Sequence, residues 1–212
     1  MKTILIAAVI ACAAAAFAQT KPLYENNFEQ GAAGKLPDDM MVISGDFTIV
    51  ADGTNKVLEL PGAPLDSFAV LFGPTESADV AVSARILGTA KGRRAPTFGV
   101  GLGGVGGFKL QMSPGKKALE LLKDQEVKAS GTFDWKSGAW TQFRFQVRKL
   151  KDGGWKIEGK AWPHGGAEPK EWAIDFVDKE EPVAGKASVL GSPFAGTPIG
   201  FDDLRVEKVA GK

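Results

Sequence analysis

Residues 141–162 read TQFRFQVRKLKDGGWKIEGKAW, and the alternation in this stretch decides the fold class. Successive side chains of an extended chain point to opposite faces. Phe143, Phe145 and Val147 therefore share one face, and Gln142, Arg144, Gln146 and Arg148 the other. After Lys151-Asp152-Gly153-Gly154 the pattern resumes, with Trp155, Ile157 and Ala161 on the apolar phase and Lys156, Glu158, Lys160 and Trp162 on the polar one. Two alternating runs joined by Asp and Gly read as an antiparallel hairpin with one face on a core and one in water. Truncating Phe145 is then expected to open a cavity, and truncating Gln146 to cost almost nothing.

The same grammar extends outward. Short β-prone runs at 23–28, 47–51, 56–60, 68–72, 79–87, 97–102 and 108–112 are separated by Gly, Pro, Asn and Asp. They are followed by runs at 119–123, 126–130, 141–150, 155–162, 172–177, 187–190 and 199–206. No stretch carries helical periodicity, and no repeat of propeller length is present. Many short strands at such spacing predict an all-β, two-sheet antiparallel β-sandwich of jelly-roll type. Residues 99–107, GVGLGGVGG, lack the following helix and the Lys-Ser/Thr pair of a phosphate-binding loop. They read instead as a strand with small residues on one face, turning into Phe108.

Lys2, an apolar run over 4–17 and Ala16-Phe17-Ala18 before Gln19 have the layout of a secretion signal. Residues 1–18 are expected to be removed, leaving 19–212 as one domain in the secreted or periplasmic space, without a transmembrane span. The rival reading is a lipidated Cys12, since Val9-Ile10-Ala11-Cys12 resembles a lipobox. Cys12 is the sole cysteine, so no intramolecular disulfide can form. With 26 Lys and Arg against 25 Asp and Glu, the chain lacks the overall basic field of nucleic-acid binders.

Three short segments carry a family resemblance. Tyr24-Glu25-Asn26-Asn27-Phe28-Glu29, Gly138-Ala139-Trp140-Thr141 and Gly200-Phe201-Asp202-Asp203-Leu204-Arg205-Val206 resemble concanavalin-A-like and laminin-G-like domains of secreted bacterial proteins. The resemblance implies two curved antiparallel sheets with the first and last strands adjacent. Relatives of this kind include lectin-like modules and glycan-cleaving enzymes. It also implies a structural Ca2+ between the terminal strands, with Asp202 or Asp203, Glu29 or Asn27, and backbone carbonyls as oxygen donors.

Candidate chemistry is sparse. The acidic residues Glu171, Asp175, Asp178, Glu180 and Glu181 do not repeat the paired-carboxylate spacing of retaining glucanases. His164 is the only histidine, which excludes multi-histidine metal sites and leaves no triad with a recognisable serine motif. Trp155 and Trp172 fall on core-facing phases, whereas Trp162 falls on the polar phase beside Arg144, Gln146, Arg148 and Glu158. A tryptophan at the edge of a polar face suits sugar stacking. The sequence therefore points to a non-catalytic carbohydrate-binding or cell-surface interaction module, with a hydrolase of the same fold and a structural envelope protein as open alternatives.

Overall fold

The computed structural model describes residues 21–62, 66–194 and 196–210; the segment read as a signal, with Cys12, lies outside the described residues. Strands form over the β-prone runs, with one further strand, β2, between the first two. They are β1 (Tyr24–Asn26), β2 (Met41–Ser44), β3 (Thr48–Asp52), β4 (Asn55–Leu60), β5 (Phe68–Glu76), β6 (Val80–Leu87), β7 (Thr97–Leu102) and β8 (Phe108–Ser113). The second half contributes β9 (Ala118–Lys123), β10 (Glu126–Thr132), β11 (Trp140–Lys149), β12 (Trp155–Pro163), β13 (Ile174–Asp178), β14 (Gly185–Ser192) and β15 (Ile199–Lys208).

An eight-stranded sheet runs β13-β12-β11-β6-β15-β4-β3 with β1 paired to β15, and a seven-stranded sheet runs β10-β9-β8-β7-β14-β5-β2. All pairings are antiparallel. The expected hairpin is present, with Phe145 opposite Gly159 and Lys149 opposite Trp155. The terminal strands meet as expected, Tyr24 facing Val206.

The apolar phases of both sheets close on one core. Phe143 and Phe145 from one sheet and Phe98, Phe108 and Leu110 from the other have no meaningful exposure. Each such side chain contributes about 1.5–3 kcal/mol through removal from water. Phe98 meets Phe143 edge-on across the two layers, with ring centroids 5.9 Å apart, which locks the sheets face to face. Trp155 packs at the core's margin, on the phase assigned to it.

Two expectations need correction. Strand β2 was not anticipated, because Met41, Val42 and Ile43 are three successive exposed apolar residues without alternation. Backbone pairing to Leu71 and Val70 on β5 holds it at the sheet's edge, with a register shift before Ser44. Trp172 does not enter the core. It precedes β13 and lies outside the eight-stranded sheet, its ring centroid 4.4 Å from Lys160 Nζ.

Residues 163–172 form a strap over that sheet's outer face. Lys160 Nζ donates to the Pro169 carbonyl at 2.6 Å and pairs with Glu168 at 2.7 Å. Trp172 covers the same ammonium. One cation thus anchors the backbone, a carboxylate and a ring of the strap, which is the structural role of this insert.

Candidate functional site

The surface expected to bind glycan, on the outer face of the hairpin, is closed upon itself. Glu158 is 2% exposed and Gln146 6%. Gln146 Nε2 and Arg148 Nε donate to the same Glu158 oxygen at 2.7 and 2.9 Å. Arg144 pairs with Glu207 on β15 at 2.6 Å. Gln146 is therefore not a solvent-facing side chain, and its polar groups are consumed internally. Trp162 is half-buried at the end of this row, opposite Gln142 in register.

The four residues expected to hold calcium are engaged separately. Asp202 is fully buried, and its carboxylate accepts from Arg85 at 2.5 Å and from Asn55 Nδ2 at 2.7 Å. Asp203 lies 3.0 Å from Arg85 Nε. Glu29 instead accepts the Lys56 backbone N–H at 2.9 Å, and Asn27 Oδ1 accepts the Glu29 N–H at 3.4 Å. Among the described residues no group of three or more His, Cys, Asp or Glu is placed to hold a metal. The donor set does not fit calcium, because the cation these aspartates face is the Arg85 guanidinium.

Burial, and then the charge of Asp202, raise the Asp203 carboxyl above the ordinary aspartate value, against the attraction of Arg85. Its backbone has a φ of +50°, next to the register shift between Asp202 and Arg205. His164 stands nearby, Nε2 3.4 Å from Arg85 and Nδ1 3.2 Å from Gln142 Oε1, on the exposed end of the strap.

The open site lies on the opposite face of the molecule, on the outside of the seven-stranded sheet. Phe98, Val100 and Leu102 of β7 enter the core, so Gly99 and Gly101 face outward. Cross-strand register sets them in two rows. One runs Glu120, Gln111, Gly99, Leu190, Ala69; the other Leu122, Lys109, Gly101, Ser188, Leu71. Each row has side chains on both flanks and a glycine in the middle, where the neighbours close over the backbone and leave Gly99 and Gly101 buried. Glycine is required there. A Cβ at Gly99 would lie 2.0 Å from the Leu110 carbonyl oxygen, and one at Gly101 2.5 Å from Ser188 Oγ.

Two contiguous depressions of about 780 and 520 Å³ form a trough on this face and share Ser67, Gln111, Leu122, Gln125 and Ser192, with neither Gly99 nor Gly101 in their lining. In the larger, Gln111 Nε2 donates to Ser113 Oγ at 3.1 Å, Ser113 Oγ donates to Glu120 at 2.5 Å, and Lys116 Nζ reaches the other Glu120 oxygen at 2.8 Å. Burial alone would raise the Glu120 carboxyl. The hydrogen bonds from Lys116 and Ser113, with the Lys116 charge, outweigh it and hold Glu120 below its ordinary value. Across the trough the hydroxyls of Ser67 and Ser192 lie 2.8 Å apart, and half-exposed Phe194 borders the same depression. Polar hydroxyl and amide groups beside Leu122, Leu190 and the two aromatic residues Phe68 and Phe194 make an amphipathic lining.

Solved structures show the same architecture. The carbohydrate binding module CBM66 from Bacillus subtilis superposes with a TM-score of 0.56 at 12% identity, covering 80% of this chain and 96% of that one. The fold is the concanavalin-A-like jelly roll. A Bacillus subtilis protein of unknown function with a galectin-like fold gives a TM-score of 0.61 at 11% identity, covering 91% and 98%. A glycosyl hydrolase family protein from Mycobacterium fortuitum gives 0.56 at 14%, covering 88% and 100%. At such identities the likeness concerns fold alone. No family model and no curated protein matches the chain. Among the described residues no helix is long and apolar enough to cross a membrane.

The trough was missed because its lining is drawn from several strands. Alternation in 97–102 places Gly99 and Gly101 on the non-core phase, and the small-residue face was noticed there. Only the pairing with β8 and β14 reveals that Lys109, Gln111, Ser188 and Leu190 stand on either side of it.

Proposed function

We propose that this chain is a secreted, non-catalytic carbohydrate-binding module whose ligand lies in the trough formed by the two contiguous depressions on the outer face of the seven-stranded sheet. The carrying observation is that the side chains lining them suit a sugar. Gln111, Ser113, Ser188 and Ser192 offer exchangeable hydrogen bonds to hydroxyls, while Leu122, Leu190 and Phe194 meet the apolar ring faces. A carbohydrate-binding module and a hydrolase of this fold among the similar structures support the reading without carrying it. The layout of residues 1–18 supports secretion.

Binding is favoured over cleavage by Glu120. It is the sole carboxylate bordering the larger depression, while Asp66 and Asp124 border the other. A glycosidic general acid needs a raised pKa and a second carboxylate close by. Glu120 has a lowered one and is tied to Lys116. It serves here as a fixed hydrogen-bond acceptor.

A glycan array probed with the chain, followed by titration calorimetry of the best ligand against Gln111→Ala, tests the proposal. Binding that weakens in Gln111→Ala without release of reducing ends is the expected result. A ligand bound equally by both proteins places the site elsewhere.

A further inference from the structure

The connection between β6 and β7 carries Lys91-Gly92-Arg93-Arg94. It is a tight turn, with Lys91 N–H donating to the Arg94 carbonyl at 2.9 Å and Arg94 N–H returning to Lys91 at 3.2 Å. Gly92 takes the left-handed corner at φ +63°. The Ser137 hydroxyl accepts the Ala90 N–H at 2.8 Å and pins the start of the turn. The turn presents Arg93 and Arg94 at the mouth of the larger depression, beside Thr97 at the head of β7.

These two arginines differ from the other four. Arg85, Arg144, Arg148 and Arg205 each pair with a carboxylate. Among the described residues neither Arg93 nor Arg94 has a side-chain hydrogen bond or ion pair, and both are exposed. The one carboxylate of their depression, Glu120, is neutralised by Lys116 at 2.8 Å. Two guanidinium charges are therefore uncompensated at one end of the trough, in a chain of net charge only +1. A guanidinium presents a planar fork of donors that matches a carboxylate or sulfate.

We infer that the trough selects an anionic glycan, its sugar rings lying in the depressions beside Gln111 and its carboxylate or sulfate substituents held by Arg93 and Arg94. This rests on the glycan-binding reading and sharpens it to a substrate class. The trough's hydroxyl and amide lining meets the ring hydroxyls, Phe194 meets a ring face, and the arginine mouth reads the charge. Two cations at one end of the trough fit a charged sugar better than the phosphate ladder of a nucleic acid, which requires cations spread along its length.

The test is calorimetry of the full chain with polygalacturonate, dextran sulfate and unsubstituted dextran, at low and physiological salt. At least one of the two polyanions should bind, more weakly as salt rises, and the arm that binds tells carboxylate from sulfate. Arg93→Ala/Arg94→Ala should weaken that binding by at least about tenfold, with an unchanged melting temperature because both side chains are exposed. Lys208→Ala, which removes a cation paired with Glu76 outside the trough, should bind as the parent does.

Three results would overturn the inference. One is the double variant binding the polyanion as tightly as the parent. Another is single-stranded DNA binding as well through the same arginines. The third is a neutral glycan that binds and depends on Gln111 while both polyanions fail, which would leave the trough reading intact and remove only its charge preference. If no glycan of either kind binds, the underlying proposal falls with it.

Discussion

The Gln146 side-chain amide donates to Glu158 Oε2 at 2.7 Å across β11 and β12, on the face of the sheet turned away from the core, yet both side chains are sealed from water. Arg148 shares that oxygen at 2.9 Å. A buried ion pair broken from one side leaves the other charge stranded. Glu158→Ala should therefore cost about 3–5 kcal/mol, close to the 3–5 kcal/mol expected for Phe145→Ala. Gln146→Ala should cost about 1–3 kcal/mol rather than nothing, because it leaves a buried acceptor short of a donor. Urea melts of the three variants read this directly, and a silent Glu158→Ala would show that the charged face is open.

That face marks the limit of what alternation can say. Phase correctly assigned Phe143, Phe145 and Val147 to the core and Gln146 and Glu158 away from it. It could not say whether the second face meets water or a strap, since the strap arrives from residues 163–172 through Lys160, Glu168 and Trp172. Strands with a core-facing stripe were legible, and the adjacency of the first and last strands, which the family resemblance implied, is realised in the pairing of Tyr24 with Val206. Strand β2, which has no buried stripe, was not. The trough was illegible for a related reason: it exists only once Lys109 and Gln111 of β8 and Ser188 of β14, which is distant in the chain, are set on either side of β7.

Trp162 separates the two faces in a binding experiment. It sits on the eight-stranded sheet beside the closed ion-pair network, whereas Gln111 lines the trough on the other sheet. Trp162→Ala should leave glycan affinity at the parental value, and Gln111→Ala should lower it. Loss of affinity in Trp162→Ala with a normal melting curve would return the site to the hairpin face.

Asp202 and Asp203 lead to a second stability test. Arg85 already pairs with both carboxylates, so chelation should not change the melting temperature. A reversible drop in chelator, with calcium found by elemental analysis, would show that a metal and not the guanidinium ties these strands.

Asp203 also sets a pH dependence. Burial and the Asp202 charge raise its folded pKa above the ordinary 3.8. A carboxyl raised in the folded state contributes stability that is complete below its unfolded value and is lost as pH rises through its folded value. Asp203→Asn should therefore melt higher than the parent at neutral pH, the difference closing as pH falls below about 3.8. Asparagine also tolerates the left-handed backbone at this position. An asparagine variant that melts lower at neutral pH would mean that the Arg85 attraction outweighs burial.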